Sequence, residues 1–255
     1  MYRLIDTHAH LEEIKDIEHA VAEAKAANII AIIGVGSDYE SNQKVLHLAQ
    51  VHNGFVYPAL GLHPWNLKDS EIGRTLEFIE ANIGKAVGIG EIGLDYNKRV
   101  RAIADKDKQK DVLREVLKIA QKYEKPVIMH SRYAWRDSLT LVEEAQVEKA
   151  VFHWYTGPSS VLRDIVSDGY FISATPAVEY HEEHRRAVKV IPLERLLLET
   201  DSPVVYGRGG ESEYEARPVH VVTTLRGVAR LRGASEAQIA ETTTDNAVKF
   251  FRLED

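Results

Sequence analysis

The stretch Ala86-Val87-Gly88-Ile89-Gly90-Glu91 is a short apolar run that ends in a carboxylate, a group that can hold a metal ion. Four other apolar runs also end in a residue that can bind a metal. They lead into His8, with His10 two places on, and into His130, His153 and Asp201. Because parallel strands bring their C-terminal ends to one face of a barrel, these side chains are predicted to meet there. The sequence therefore predicts one polar, metal-holding mouth with four histidines and two carboxylates.

The apolar runs alternate with helical patterns along the whole chain of 255 residues. Eight runs begin near residues 3, 29, 55, 85, 126, 149, 170 and 195, as the strands of successive βα units would. Runs such as Ile29-Ile30-Ala31-Ile32-Ile33 are continuously apolar, which is typical of parallel strands buried on both faces. The pattern predicts an α/β protein with a (β/α)8 TIM barrel. Residues 1–255 are expected to form a single domain, with the metal site at the C-terminal face of the strands.

The segments between the runs have apolar stripes at helical spacing, such as that formed by Val112, Val116, Ile119 and Ala120. Near the end of the chain, Pro218 is placed to begin one helix, and Ser235 with Gln238 forms a capping-box pattern for the last. The longest irregular stretches are about residues 92–106 and 202–216. Each follows a strand that carries a proposed ligand, so both are expected to overhang the mouth.

Composition excludes several classes of protein. The chain has no cysteine, which rules out a disulfide scaffold, a thiolate nucleophile and a cysteine-ligated zinc. No apolar run approaches the roughly 18 residues of a membrane span, and the first residues enter a strand at once, so a cytoplasmic protein is expected. The net charge of −7 argues against non-specific coating of nucleic acid. This charge is still compatible with an enzyme that binds one nucleic-acid end through a local basic patch and its metals.

The number of ligand-type residues at the mouth indicates more than one ion. A catalytic zinc commonly takes three protein ligands and a water, whereas this chain offers four imidazoles and two carboxylates. Two divalent ions are therefore predicted, and the mixed ligands suit Mg²⁺, Mn²⁺ or Zn²⁺. Glu91 stands midway in the strand order, so it is the candidate to bridge them.

Six short segments of the chain together resemble the TatD family of metal-dependent hydrolases, which are amidohydrolase-type TIM barrels. They are Asp6-Thr7-His8-Ala9-His10-Leu11, Gly61-Leu62-His63-Pro64, Gly90-Glu91-Ile92-Gly93-Leu94-Asp95-Tyr96, His130-Ser131-Arg132, His153-Trp154-Tyr155-Thr156-Gly157 and Glu199-Thr200-Asp201-Ser202-Pro203. The resemblance extends from about residue 4 to the terminal pattern Thr243-Thr244-Asp245-Asn246-Ala247…Phe250. It therefore covers nearly the whole chain.

The resemblance implies a division of the ligands and an activity. His8, His10, Glu91 and Asp201 would hold one ion, and Glu91, His130 and His153 the other. Asp201 would also act as a general base towards the water nucleophile, so that Asp201 and Glu91 are the catalytic carboxylates. The implied reaction is 3′–5′ exonucleolytic cleavage of DNA, with single-stranded DNA or a DNA 3′ end as the partner.

Two other functions remain open from the sequence. The same site could cleave an acyl ester, as in D-aminoacyl-tRNA deacylation, or another ester or amide, and the barrel could also be a catalytically silent binding module. No membrane association and no obligate protein partner are inferred.

The residues beside the ligands depart from the usual family pattern. Tyr133 replaces a common Asp, Trp154-Tyr155 replaces Cys-Phe, and Ala216-Arg217 replaces Asn-Glu. These positions are expected to decide what the mouth accepts. The candidate substrate-binding residues are His63, Arg132, Trp154, Tyr155 and Arg208. By contrast, His181 and His184 lie in a polar helical run and are predicted to be on a solvated helix face.

Overall fold

Each strand of the main sheet pairs in parallel with the next strand along the chain. The computed structural model describes residues 1–210 and 213–253. The eight strands are β1 (Leu4–Ala9), β2 (Ile29–Val35), β3 (Val56–Leu62), β4 (Gly88–Asp95), β5 (Val127–Arg132), β6 (Ala150–Phe152), β7 (Phe171–Ala174) and β8 (Leu196–Leu198). Their positions match the eight apolar runs, and the predicted (β/α)8 TIM barrel is confirmed.

The barrel closes where the chain beyond β8 meets the end of β1. The amide of Asp201 donates to the carbonyl of His8 at 3.0 Å, and the amide of His10 donates to Ser202 at 2.8 Å. Deeper in the barrel, the buried Asp6 carboxylate accepts hydrogen bonds from both the amide and the hydroxyl of Thr200. The first and last strands are thereby held in register, and His8 and Asp201 become neighbours.

Helices surround the barrel on its outer side. They are α1 (Ile17–Ala26), α2 (Tyr39–Val51), α3 (Asp69–Asn82), α4 (Lys98–Arg101), α5 (Lys106–Lys122), α6 (Trp135–Glu144), α7 (Ser159–Ser167), α8 (Glu182–Val190), α9 (Val221–Arg232) and α10 (Glu236–Phe251). The predicted stripe of α5 is buried, and the Ser235 hydroxyl accepts from the amide of Gln238 at the start of α10. Pro218 begins a short 3-10 helix that leads into α9.

The two long connections at the mouth are more ordered than predicted. β4 extends to Asp95 and is followed by α4, so little of the stretch 92–106 is irregular. The stretch 202–216 contains a small antiparallel hairpin of β9 (Val205–Tyr206) and β10 (Tyr214–Glu215). Residues 211 and 212 of this stretch lie outside the described residues.

Within residues 1–210 and 213–253, no helix is both long enough and apolar enough to cross a membrane.

Candidate metal centre

The Glu91 carboxylate is the centre of the polar mouth. β4 carries it into the barrel, where its side chain is only 3% exposed. Among the ion pairs of the described residues, Glu91 and Asp201 approach only histidines, and neither pairs with a lysine or arginine within 4 Å. A buried carboxylate needs compensating positive charge, because desolvation strongly disfavours an unpaired ion. The surroundings of these two carboxylates therefore suit protonated histidines or bound cations.

One oxygen of Glu91 faces a first group of ligand atoms. Glu91 Oε2 lies 3.4 Å from His8 Nε2 and 3.2 Å from His10 Nε2, and the two imidazole nitrogens are 3.3 Å apart. Asp201 Oδ1 lies 3.4 and 3.6 Å from the same two nitrogens. Ligands of a tetrahedral zinc at 2.0–2.1 Å are separated by about 3.3 Å. The spacing of the His8, His10 and Glu91 atoms therefore fits one ion, with Asp201 beside the two histidines.

The other oxygen of Glu91 faces a second group. Glu91 Oε1 lies 2.8 Å from His130 Nδ1 and 2.7 Å from His153 Nε2, and these nitrogens are 3.3 Å apart. His63 Nε2 is 3.4 Å from the same oxygen, while His63 Nδ1 accepts from the amide of Trp65. The structure thus brings together all six residues predicted as ligands, with Glu91 between two groups, and adds His63 to the second.

Three further carboxylates lie behind the histidines and were not singled out from the sequence. Asp95 Oδ2 is 3.2 Å from His130 Nε2, and Glu12 Oε1 is 3.8 Å from His10 Nδ1. Glu199 approaches Nδ1 of both His8 and His153. Carboxylates in this position orient metal-binding imidazoles and raise their basicity. Asp95 and Glu199 belong to the same short motifs as Glu91 and Asp201, which is the signal that could have identified them.

The proton affinities of these groups reflect competition between burial and charge. Burial alone would raise the pKa of Glu91, but the surrounding imidazoles outweigh it and hold that pKa well below its usual range. Burial raises the pKa of Asp201, and the histidines offset this only in part. Burial would lower the pKa of His153, yet the Glu91 and Glu199 carboxylates raise it well above its usual value. Without a metal, the centre is therefore a cluster of carboxylates balanced by protonated imidazole, and metal binding would release protons.

His63 differs from the other histidines of the centre. Burial lowers its pKa to about 4, because the nearby carboxylate compensates less than the loss of water costs. Its imidazole is consequently neutral at physiological pH.

A cavity of about 810 Å³ opens above the centre. The side chains that line it include most of the predicted site residues, namely His10, His63, Glu91, His130, Arg132, His153, Trp154, Asp201 and Arg208. Trp65, Tyr133, Trp135 and His181 line it as well. His8 lies beneath the cavity and is fully buried.

Tyr155 does not line the cavity, contrary to its predicted role in substrate binding. Its side chain is fully buried in the core, and its hydroxyl donates to the carbonyl of Pro158 at 2.8 Å. Trp154 has a φ of +40°, so the backbone turns before Tyr155. The turn directs Tyr155 inward, although an extended strand would have placed it on the same side as His153.

The prediction of a solvated face for His181 and His184 is wrong for His184. This imidazole is fully buried, accepts from the amide of Thr175 at 3.1 Å, and has Nδ1 2.9 Å from the carbonyl of Tyr155. His181 caps the N-terminus of α8 and reaches the edge of the mouth.

Comparison with known proteins gives consistent matches along the chain. Residues 5–252 match the model of the family described as TatD related DNase. The deoxyribonuclease TATDN3 of Homo sapiens is 32% identical over 263 residues, which are 97% of this chain and 94% of that protein. YabD of Bacillus subtilis, named as a metal-dependent hydrolase, is 32% identical over 262 residues, covering 98% of this chain and 99% of YabD.

A solved structure agrees with the sequence matches. The crystal structure of YjjV, a TatD homologue from Escherichia coli K12, superposes with a TM-score of 0.88 at 28% identity. The superposition covers 99% of both chains. The likeness therefore extends over nearly the whole length of both chains.

Proposed function

Because the chain belongs to the TatD-related DNase family, we propose that it is a metal-dependent hydrolase that cleaves phosphodiester bonds of DNA. The observation that carries this proposal is the position of Glu91. Each of its oxygens faces a separate group of ligand atoms, at 3.2–3.4 Å on one side and 2.7–2.8 Å on the other. A carboxylate shared in this way suits the paired ions of enzymes that displace phosphoryl oxygens.

We propose two divalent ions for this centre. His8, His10, Glu91 and Asp201 would hold the first, and Glu91, His130 and His153 the second. Histidines supply two of the four proposed ligands of the first ion and two of the three of the second, which favours zinc or manganese over magnesium. Bound divalent ions supply positive charge for the reacting oxygens and can bring the pKa of a coordinated water to about 7.

The chain's own side chains supply the remaining chemistry. Asp201 is the general base for the attacking water, since its carboxylate lines the cavity and lies 3.4 and 3.6 Å from the Nε2 atoms of His8 and His10. Arg132 is exposed at the mouth, where its planar guanidinium can pair with a phosphate of the substrate. We propose that the neutral His63, whose Nε2 lies 3.4 Å from Glu91 Oε1, contacts a substrate phosphate.

The shape and charge of the mouth support action on an unpaired end. A cavity of about 810 Å³ in the barrel mouth has room for a few nucleotide units but not for a continuous duplex. The chain carries a net charge of −7, so binding depends on local cations such as Arg132 and Arg208. We propose 3′–5′ exonuclease activity on single-stranded DNA or on DNA 3′ ends.

The experiment is a nuclease assay on protein that has been stripped of metal and then supplied with Zn²⁺, Mn²⁺ or Mg²⁺. Single-stranded oligonucleotides labelled at the 5′ end should shorten stepwise from the 3′ end. Glu91→Ala should abolish cleavage and metal binding while circular dichroism remains native, because it removes ligands of both ions. Glu77→Ala, an exposed position on α3, is the matched control and should cleave as the wild type does.

Equal nuclease activity in Glu91→Ala would refute the proposed centre. A D-aminoacyl-tRNA substrate is tested alongside, since release of an amino acid from intact RNA would identify the deacylase alternative instead. Failure to bind any supplied divalent ion would favour a silent binding module.

A further inference from the structure

Two large aromatic side chains at the mouth keep about half of their surface exposed. Trp65 is 49% exposed and Tyr133 is 57% exposed, and both line the cavity above the candidate centre. Trp65 follows β3 and Tyr133 follows β5, so they stand on either side of the strand that carries Glu91. Exposed aromatic surface is unfavourable in water, so its concentration at a mouth indicates a ligand with an apolar face.

The backbone at Tyr133 is held in an unusual conformation. Its φ is +57°, in the left-handed region that bulky side chains rarely adopt. Trp154 and Asp201, which also follow strand ends of the mouth, have φ values of +40° and +50°. Such strained residues persist where the surrounding structure enforces them, and they concentrate at functional sites.

The neighbours of Tyr133 support its ring from the sides. Trp135 packs against it edge to face, with ring centroids 5.9 Å apart. The guanidinium of Arg132 lies 5.5 Å from the centre of the Tyr133 ring. A flat ring next to a cation matches the alternation of base and phosphate along a nucleic acid strand.

Trp65 is anchored by its edge. Its indole N–H donates to Asp95 Oδ2 at 2.7 Å, and the same oxygen lies 3.2 Å from Nε2 of His130. The anchoring fixes the indole beside a candidate ligand of the second group while almost half of the side chain stays exposed. Through Asp95, Trp65 therefore connects an exposed aromatic surface at the edge of the cavity to His130 in the second group.

We propose that Tyr133 and Trp65 form a stacking site for unpaired nucleobases next to the scissile phosphodiester. This stacking site rests on the proposed function and specifies its substrate. It requires a strand that carries bases, and those bases must be unpaired for their faces to stack on the two rings. Stacking of a base on an aromatic side chain changes affinity by roughly 5- to 100-fold. Tyr133 is the residue to test, since a change at Trp65 would also disturb Asp95 and His130.

The first test compares two single-stranded oligomers of the same length, one of normal DNA and one with tetrahydrofuran units in place of every nucleoside. The wild type should cleave the base-bearing oligomer with a kcat/KM roughly 5- to 100-fold higher. In Tyr133→Asn the ratio of the two kcat/KM values should fall towards one. Asparagine tolerates the left-handed backbone, so this variant is expected to fold. Tyr133→Phe, which restores the ring, should restore the preference.

The matched control is Tyr2→Asn, since Tyr2 is a 41% exposed tyrosine that precedes β1 at the opposite face of the barrel. It should keep the wild-type ratio. A wild-type ratio of one, or the same ratio in Tyr133→Asn as in the wild type, would overturn the stacking site while leaving DNA cleavage intact.

The second test needs no turnover. An oligomer that contains 2-aminopurine is bound in the presence of EDTA, and its fluorescence should be quenched by the wild type more than by Tyr133→Asn. Quenching without cleavage under any metal would overturn the proposed function but support the stacking site. Cleavage with neither quenching nor base preference would overturn the stacking site alone, and the absence of both would overturn both.

Discussion

The Glu199 carboxylate lies 3.5 Å from Nδ1 of His153, on the side of the imidazole that faces away from Glu91. Its second oxygen lies 4.0 Å from Nδ1 of His8, whose ring stacks on that of His153 at a centroid distance of 4.3 Å. His8 and His153 belong to different groups of ligand atoms. One buried carboxylate therefore stands behind a histidine of each group.

The substitution Glu199→Gln is expected to weaken metal binding in both groups. Glutamine keeps the shape of the side chain but removes the charge that orients the two imidazoles and raises their basicity. Loss of such a partner typically lowers metal affinity about 10- to 100-fold. Isothermal titration of the metal-free protein with Zn²⁺ or Mn²⁺ measures the change.

The control for this variant is Glu194→Gln, at an exposed position before β8. It should bind metal as the wild type does. If Glu199→Gln folds and its metal affinity equals that of the control, Glu199 has only a structural role.

The ligand residues could be predicted from sequence because their positions depend on where strands end. Apolar runs mark the strands, and the barrel gathers their C-terminal ends without further information. Glu91, His130 and His153 are therefore brought together as expected. The outer carboxylates were harder to identify, because the side that Asp95 or Glu199 faces depends on local strand geometry that the apolar pattern does not encode.

The errors at Tyr155 and His184 have separate physical causes. Tyr155 follows a residue with a left-handed backbone, and the resulting turn breaks the alternation of sides that an extended strand would keep. In α8, His184 lies on the same side as the buried Ala187 and Val188. This spacing of three to four residues was visible in the sequence, but the surrounding charged residues suggested a solvated face. Burial of a polar ring requires partners from distant segments, which sequence does not reveal.

Because β3 approaches β4 closely at Gly61, a side chain at this position is expected to disturb Glu91. A Cβ atom at this position would lie 2.3 Å from the amide nitrogen of Glu91 and 2.4 Å from its carbonyl oxygen. Asn42 also holds the Gly61 backbone, with hydrogen bonds of 2.8 and 2.9 Å to its carbonyl and amide. Gly61→Ala should therefore displace Glu91 and lower the free energy of unfolding by about 1–3 kcal/mol.

Gly73→Ala provides the matched control for Gly61→Ala. Gly73 lies within α3, and apart from its chain neighbours and the adjacent helix backbone a Cβ atom there would meet nothing within 4 Å. Alanine is the better helix former, so this variant should be about 0.5–1 kcal/mol more stable than the wild type. Urea denaturation measures both variants, and equal stability of the two would contradict the steric argument.

The buried His184 predicts how stability depends on pH. Burial lowers the pKa of His184 to about 4, below the value near 6.5 that the group has in an unfolded chain. Nε2 accepts from the amide of Thr175, so the folded state holds a neutral ring with its proton on Nδ1, which donates to Tyr155. Protonation of Nε2 would replace this hydrogen bond with a repulsive contact between two N–H groups, one from His184 and one from Thr175.

The sign of the effect follows from the two pKa values. Above about pH 6.5 both states are neutral, and the stability contribution is fully present. As the pH falls towards 4, His184 binds a proton in the unfolded chain but stays neutral in the folded protein, so its contribution to stability is lost. Between pH 7 and 4.5 the loss from this one residue is about 2 kcal/mol.

His184→Gln should reduce the difference in unfolding free energy between pH 7 and pH 4.5 by about this amount, because glutamine can make both hydrogen bonds without titrating. His47→Gln, at an exposed position on α2, should leave the pH dependence unchanged. Both are measured by urea denaturation at the two pH values, relative to the wild type, so that contributions from the other titrating groups cancel. A pH dependence in His184→Gln as steep as that of the wild type would mean that His184 is not held neutral by the fold.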